Sequence, residues 1–198
     1  MRAAGIRDIL LVIGYRGEAI REAFGNGSSL GVRLHYAEQP KPKGTGAALQ
    51  FAEDFAAEEP LLMSYGDILV EPATYQGILR AWRNDLAALI GLNWMEDPCA
   101  GAAVYREGDR IVRLVEKPAP GTSTSHWNVA GLSVFGPAIW NALRRIAPSP
   151  RGELELTDAV TALIEAGHSV EGYEIQGFWY DVGTPEALAA AERRWQAE

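Results

Sequence analysis

Asp67 and Asp181 are the residues of this chain best suited to do chemistry. Asp67 closes the apolar run Leu61-Leu62-Met63-Ser64-Tyr65-Gly66-Asp67, which reads as a buried strand ending in a Gly-Asp turn. Asp181 lies in Gly177-Phe178-Trp179-Tyr180-Asp181-Val182-Gly183-Thr184-Pro185. Open α/β sheets bind ligands outside the carboxyl ends of parallel strands, and that is where both carboxylates are expected. Two carboxylates brought together there make a hard-oxygen site suited to Mg²⁺ and a polyphosphate.

Three further stretches carry groups a small anionic ligand would need. Gln39-Pro40-Lys41-Pro42-Lys43-Gly44-Thr45-Gly46 links a strand to a helix. Glycines there let backbone N–H groups approach a flat or anionic ligand, at a helix N-terminus that favours negative charge. The proline and glycine punctuation of an ordinary loop accounts for the stretch equally well. It matches neither G-x-G-x-x-G nor G-x-x-x-x-G-K-[ST]. Glu116-Lys117-Pro118 ends a strand with an acceptor and a cation, fit for a hydroxyl and a phosphate of one ligand, although an exposed Glu-Lys pair is commonly just solvated. Arg151-Gly152-Glu153-Leu154-Glu155-Leu156-Thr157-Asp158 is acidic at a helix start, which macrodipole preference alone explains.

Positioning these groups takes alternating strands and helices. Ile9 to Ile13 is fully apolar and reads as a central parallel strand, followed by a helix over Arg16–Phe24 that stops at Gly25-Asn26-Gly27. A strand over Val32–Ala37 precedes a helix over Ala47–Phe55. A helix over Pro72–Trp82, with proline in its first turn, follows the strand ending at Asp67. Ala87–Leu92 is another apolar strand. Ala102–Tyr105 and Ile111–Val115 flank Glu107-Gly108-Asp109 as a hairpin. Then come a strand over Val129–Phe135, helices over Pro137–Ile146 and Leu156–Ala166, a strand over Val170–Ile175, and a helix over Pro185–Trp195 with Thr184 as N-cap. This alternation predicts an α/β fold, three layers α/β/α with a mostly parallel mixed sheet, in one domain over residues 1–198.

Composition narrows the function classes. A net charge of −8 speaks against a nucleic-acid or anionic-membrane surface, but a nucleotide pocket needs only a few local cations. Cys99 is the only cysteine, so no internal disulfide forms and a cytoplasmic location is expected. The three histidines show no zinc spacing, and the apolar run at Ile9–Ile13 is far too short to span a membrane.

Taken together, Gln39 to Gly46, Tyr65-Gly66-Asp67, Glu116-Lys117-Pro118, Arg151 to Asp158 and Trp179 to Pro185 occur in one order over one domain length. That order and spacing resemble the sugar-1-phosphate nucleotidyltransferases, from about Ile6 to the last helix. Enzymes of this family condense a nucleoside triphosphate with a sugar 1-phosphate and release pyrophosphate. The resemblance implies that Asp67 and Asp181 hold Mg²⁺ and that Gln39 with the Gly44-Thr45 backbone meets the base. It further implies that Lys117 takes the sugar phosphate, Glu116 a sugar hydroxyl, and the Gly101 N–H the sugar. The Gln-Pro-x-Pro-x-Gly loop is most like enzymes using dTTP or UTP, and the resemblance implies a pyrimidine nucleotide with glucose 1-phosphate as the expected sugar; guanylyltransferases acting on mannose 1-phosphate or a related sugar share much of the pattern.

Two departures stand out. Many members carry asparagine two residues before the glycine of an N-x-G strand, where Val129 stands here; Asn128 lies one residue earlier, which puts its sugar contact in question. The family also opens with a strand and a G-x-G-T-R loop, whereas Met1-Arg2-Ala3-Ala4-Gly5 already leads into the family's second strand. With the first βα unit absent, the triphosphate cradle would be missing and one edge of Ile9–Ile13 unpaired. That leaves a non-catalytic sugar-nucleotide-binding or regulatory paralogue as the rival expectation. A dinucleotide-binding oxidoreductase is disfavoured by the lack of its fingerprint. Oligomeric state stays open, a homo-oligomer included.

Overall fold

An unbroken apolar run leaves no face for water, so Ala87–Leu92 belongs where both sides of a sheet are covered. The computed structural model, which describes residues 1–195, places it there. In chain order the elements are β1 (Asp8–Ile13), α1 (Gly17–Phe24), β2 (Arg33–Glu38), α2 (Thr45–Gln50), α3 (Glu53–Ala56) and β3 (Leu61–Ser64). There follow β4 (Ile68–Val70), α4 (Pro72–Ala81), β5 (Ala88–Trp94), β6 (Ala102–Glu107), β7 (Arg110–Glu116) and β8 (Trp127–Phe135). The chain continues with α5 (Ala138–Leu143), α6 (Leu156–Glu165), β9 (Val170–Glu174), β10 (Trp179–Asp181) and α7 (Pro185–Trp195).

A six-stranded sheet runs in the order β3-β8-β5-β9-β7-β6. Alternate side chains of β5 point to opposite faces, as the period of a strand requires. Ala88, Ile90 and Leu92 pack with Leu143 of α5, Val160 and Leu163 of α6 and Leu49 of α2, while Leu89 packs with Ile78 of α4 on the other side. The fold is therefore α/β/α in layers, as expected. The balance of the sheet differs from expectation. Among the described residues only β1–β2 and β5–β9 run parallel; β3–β8, β5–β8, β6–β7, β6–β8, β7–β9 and β4–β10 are antiparallel. The long strand β8 is responsible for three of these, running against β3, β5 and, at Asn128, β6.

β1 is not central. It pairs in parallel with β2 in a separate two-stranded sheet, and most of its residues are half-buried. Its apolar residues do not lie between two layers, although Leu10 reaches the main core. The expected helix Ala47–Phe55 divides into α2 and α3, because the chain turns at Phe51-Ala52. α5 is shorter than the expected Pro137–Ile146. Capping signals hold at α4, with Pro72 at its first position, and at α7, where the Thr184 Oγ1 accepts the Ala187 N–H at 3.1 Å. Among the described residues no helix is long and apolar enough to cross a membrane.

Candidate active site

Asp67 does not end β3; it sits in the turn Tyr65-Gly66-Asp67 between β3 and β4. Asp181 is the last residue of β10, which pairs antiparallel with β4 so that Asp181 stands opposite Ile68. Neither carboxylate is at the lip of a parallel strand, because β3 and β10 both pair antiparallel. The small β4–β10 ladder brings them together instead. A Cβ added to Gly183 would lie 3.0 Å from Asp181 Oδ1 and 3.5 Å from Asp67 Oδ2, so both carboxylates border one small volume. The Gly183 N–H donates to Asp181 Oδ1 at 2.9 Å and holds that carboxylate in place.

This donor set fits a magnesium ion. Mg²⁺ takes hard oxygen ligands, commonly one or two carboxylates with the remaining positions left to phosphate and water. No group of three or more His, Cys, Asp or Glu converges among the described residues.

Gln39 follows β2, and its backbone N–H donates to Ile13 O at 2.8 Å. Its side-chain Nε2 is buried without a partner among the described residues. A buried donor left unpaired costs free energy, so an incoming acceptor at this point is favoured. The glycines of the adjoining loop also pack closely on another segment. A Cβ on Gly44, whose φ is +98°, would come within 2.4 Å of Leu154 O, and one on Gly46 within 2.9 Å of the same oxygen. The Gly46 N–H donates to Leu154 O at 2.8 Å, and the Leu154 N–H to Lys43 O at 2.7 Å. Their small size thus serves approach to Leu154. The Thr45 hydroxyl also faces inward, accepting the Leu156 N–H at 3.1 Å.

Glu116 ends β7, and both of its oxygens are engaged. Arg151 donates to Oε1 at 3.2 Å and the Thr157 hydroxyl to Oε2 at 3.0 Å. Lys117 has φ +42°, an uncommon left-handed conformation for a non-glycine residue, and its N–H donates to Gly101 O at 2.7 Å. Strained backbone of this kind gathers at functional sites. Its ammonium has no carboxylate within ion-pair distance among the described residues. The Gly101 N–H lies against Pro98 O at 3.2 Å, and a Cβ there would strike Asn128 Oδ1 at 2.1 Å. Asn128 is committed to the scaffold: it is buried, accepts the Ala102 N–H and donates to Asn93 Oδ1 and Val129 O.

The sequence matches the family described as nucleotidyl transferase over residues 1–198. The chain belongs to the nucleotidyl transferase family. A glucose-1-phosphate thymidylyltransferase of Streptomyces griseus is 37% identical over 195 residues, covering 98% of this chain and 54% of that one. The UTP–glucose-1-phosphate uridylyltransferase AglF of Haloferax volcanii is 32% identical over 198 residues, covering 98% of this chain and 79% of that one. Among solved structures, a Bacillus anthracis protein assigned as a glucose-1-phosphate thymidylyltransferase and crystallised with a sucrose gives a TM-score of 0.85 at 26% identity. It is covered over 78% of its length by 98% of this chain. This nucleotidyl transferase chain spans about half the length, 54%, of several curated relatives it matches.

Four residues beside these groups carry no assigned role in the sequence. The acidic helix start explains Arg151, Glu155 and Thr157 without a role, and nothing in their spacing shows that Arg151 and Thr157 reach Glu116 across the fold or that Glu155 holds Arg151. Tyr65, two residues before Asp67, is the fourth. Burial pushes its phenol up to about 12, and Thr45, Glu116, Asp67 and Glu155 all lie near enough to act on it. Tyr65 is therefore a neutral phenol close to both Thr45 and Asp67.

Proposed function

We propose that this chain carries the reaction site of a sugar-1-phosphate nucleotidyltransferase using dTTP or UTP with glucose 1-phosphate. The observation that carries it is the convergence of Asp67 and Asp181 around Gly183. The sugar phosphate oxygen attacks the α-phosphorus in line, forming one P–O bond while the bond to the leaving pyrophosphate breaks. Such a reaction needs mainly positioning and neutralisation of charge. Mg²⁺ bound by Asp67 and Asp181 would supply neutralisation at the phosphate oxygens. Lys117 neutralises the sugar phosphate and Glu116 accepts a sugar hydroxyl. Gly101 lines the sugar side. On the base side, the Gln39 Nε2 donates to a carbonyl oxygen, which thymine, uracil and guanine present, next to the Gly44-Thr45 loop.

The names of the Streptomyces and Haloferax relatives support the choice of glucose 1-phosphate and a pyrimidine nucleotide. The single cysteine supports a cytoplasmic location, and the net charge of −8 supports small substrates over nucleic acid. The test incubates the chain with Mg²⁺, each of dTTP, UTP and GTP, and glucose or mannose 1-phosphate, and separates products by anion exchange. Sugar nucleotide and pyrophosphate from glucose 1-phosphate with dTTP or UTP are expected. Binding of a sugar nucleotide with no turnover of any pair would overturn the catalytic proposal in favour of a binding role.

A further inference from the structure

Glu155 is a buried carboxylate, 5% exposed, that the proposed reaction does not use. It stands at the N-cap position of α6, where an acidic side chain ordinarily accepts the helix's free N–H groups. Here it makes no such bond. Its Oε1 instead accepts the Ser149 hydroxyl at 2.9 Å and the Arg151 guanidinium at 2.8 Å. The macrodipole therefore does not account for its orientation.

Arg151 has three carboxylates within reach: Glu155 at 2.8 Å, Glu116 at 3.2 Å and Glu153 at 3.9 Å. Of these Glu155 is the most buried and the nearest, so its attraction is the least screened. Anchored there, the guanidinium touches only one oxygen of Glu116, while Thr157 holds the other. Each oxygen keeps a lone pair for a ligand hydroxyl. Without the charge on Glu155, Arg151 would close on Glu116 as a bidentate pair and occupy the oxygens a ligand needs.

We infer that Glu155 is a positioning residue of the sugar subsite, acting through Arg151 to keep Glu116 oriented and open. The inference rests on the nucleotidyl-transfer proposal for this site. Glu155→Gln keeps the shape and the Ser149 contact but removes the charge.

The test measures binding of glucose 1-phosphate and, separately, of UTP by calorimetry with Mg²⁺ present. It compares the wild-type chain, Glu155→Gln, Arg151→Gln and the double variant. Each single variant is expected to weaken glucose 1-phosphate about tenfold and to leave UTP within about twofold, the scale of one charge-assisted hydrogen bond. The double variant should be no weaker than the worse single one, because both break the same link. An unchanged glucose 1-phosphate affinity in Glu155→Gln overturns the inference. So does an equal loss for both ligands with a lowered Tm, which marks a merely structural role. Should Glu155→Gln not fold, Arg151→Gln alone must still show the selective loss, or the inference falls. A wild-type chain that binds neither ligand removes the nucleotidyl-transfer proposal and this inference with it. Wild-type binding combined with any of the other negative outcomes removes the inference alone.

Discussion

The Val182 amide donates to the carbonyl of Asp67 at 2.8 Å, extending the β4–β10 pairing one step past Asp181. Backbone pairing, and not side-chain chance, thus sets the distance between the two carboxylates. Asp67→Asn or Asp181→Asn should each abolish Mg²⁺-dependent turnover and weaken Mn²⁺ binding followed by electron paramagnetic resonance. Tm should hold, because neither carboxylate makes an ion pair among the described residues. Near-normal turnover would take the altered residue out of the mechanism.

Gly183 keeps open the volume between those carboxylates. A methyl group there would crowd Asp181 Oδ1 at 3.0 Å while leaving the backbone unstrained, since its φ is outside the left-handed range. Gly183→Ala should lower Mn²⁺ affinity by about tenfold, about 1.4 kcal/mol, with little change in Tm. An unaltered affinity would mean that the ion sits elsewhere.

Gly44 faces both penalties at once, a φ of +98° and a clash at 2.4 Å with Leu154 O. Gly44→Ala should destabilise the chain by about 2 kcal/mol or more, read from the urea midpoint at constant m. A neutral effect would show that the loop tolerates separation from Leu154.

Asp158 provides a pH-dependent check. Burial raises its carboxyl above the ordinary value of 3.8, the nearby Glu155 charge adds to this, and Arg151 opposes it. A raised acid pKa in the folded state means the fold favours the protonated form. Its contribution is full below the ordinary value and is lost as pH rises through the raised one. Asp158→Asn should therefore be more stable than wild type at pH 7, and the gap should close near pH 3.5, about the ordinary Asp value. A wild type that is the more stable at pH 7 would show that the charged form has a favourable partner.

What the sequence made legible is the layered α/β order, the hairpin, the capping of α4 and α7, and the set of residues to watch. Periodicity reports how many faces of a strand are covered, and so it identified β5 correctly. It carries no information about which ladder lies beside a strand, and on that point Ile9–Ile13 was misplaced at the centre. β4 was also missed as a strand, because three residues beside a Gly-Asp turn are too few for any period to register. The packing of Gly44 and Gly46 on Leu154 was not legible, because their separation in sequence hides it. The Arg151–Glu116 and Thr157–Glu116 bonds depend on α6 crossing behind β7, a relation that only the assembled fold creates.

The division of the strands between two sheets also divides the molecule's cooperativity. Among the described residues no ladder bond joins β1 or β2 to the six-stranded sheet, and the ties that remain include the Gln76 Nε2 bond to Ala3 O and the packing of Leu10. Amide hydrogens of β1 and β2 can therefore exchange through local opening that leaves β5, β8 and β9 protected. Gln39 hangs from the weaker unit, whereas Glu116 and Lys117 hang from the stronger one. The base would be received by a compliant half of the protein and the sugar by a stiff one.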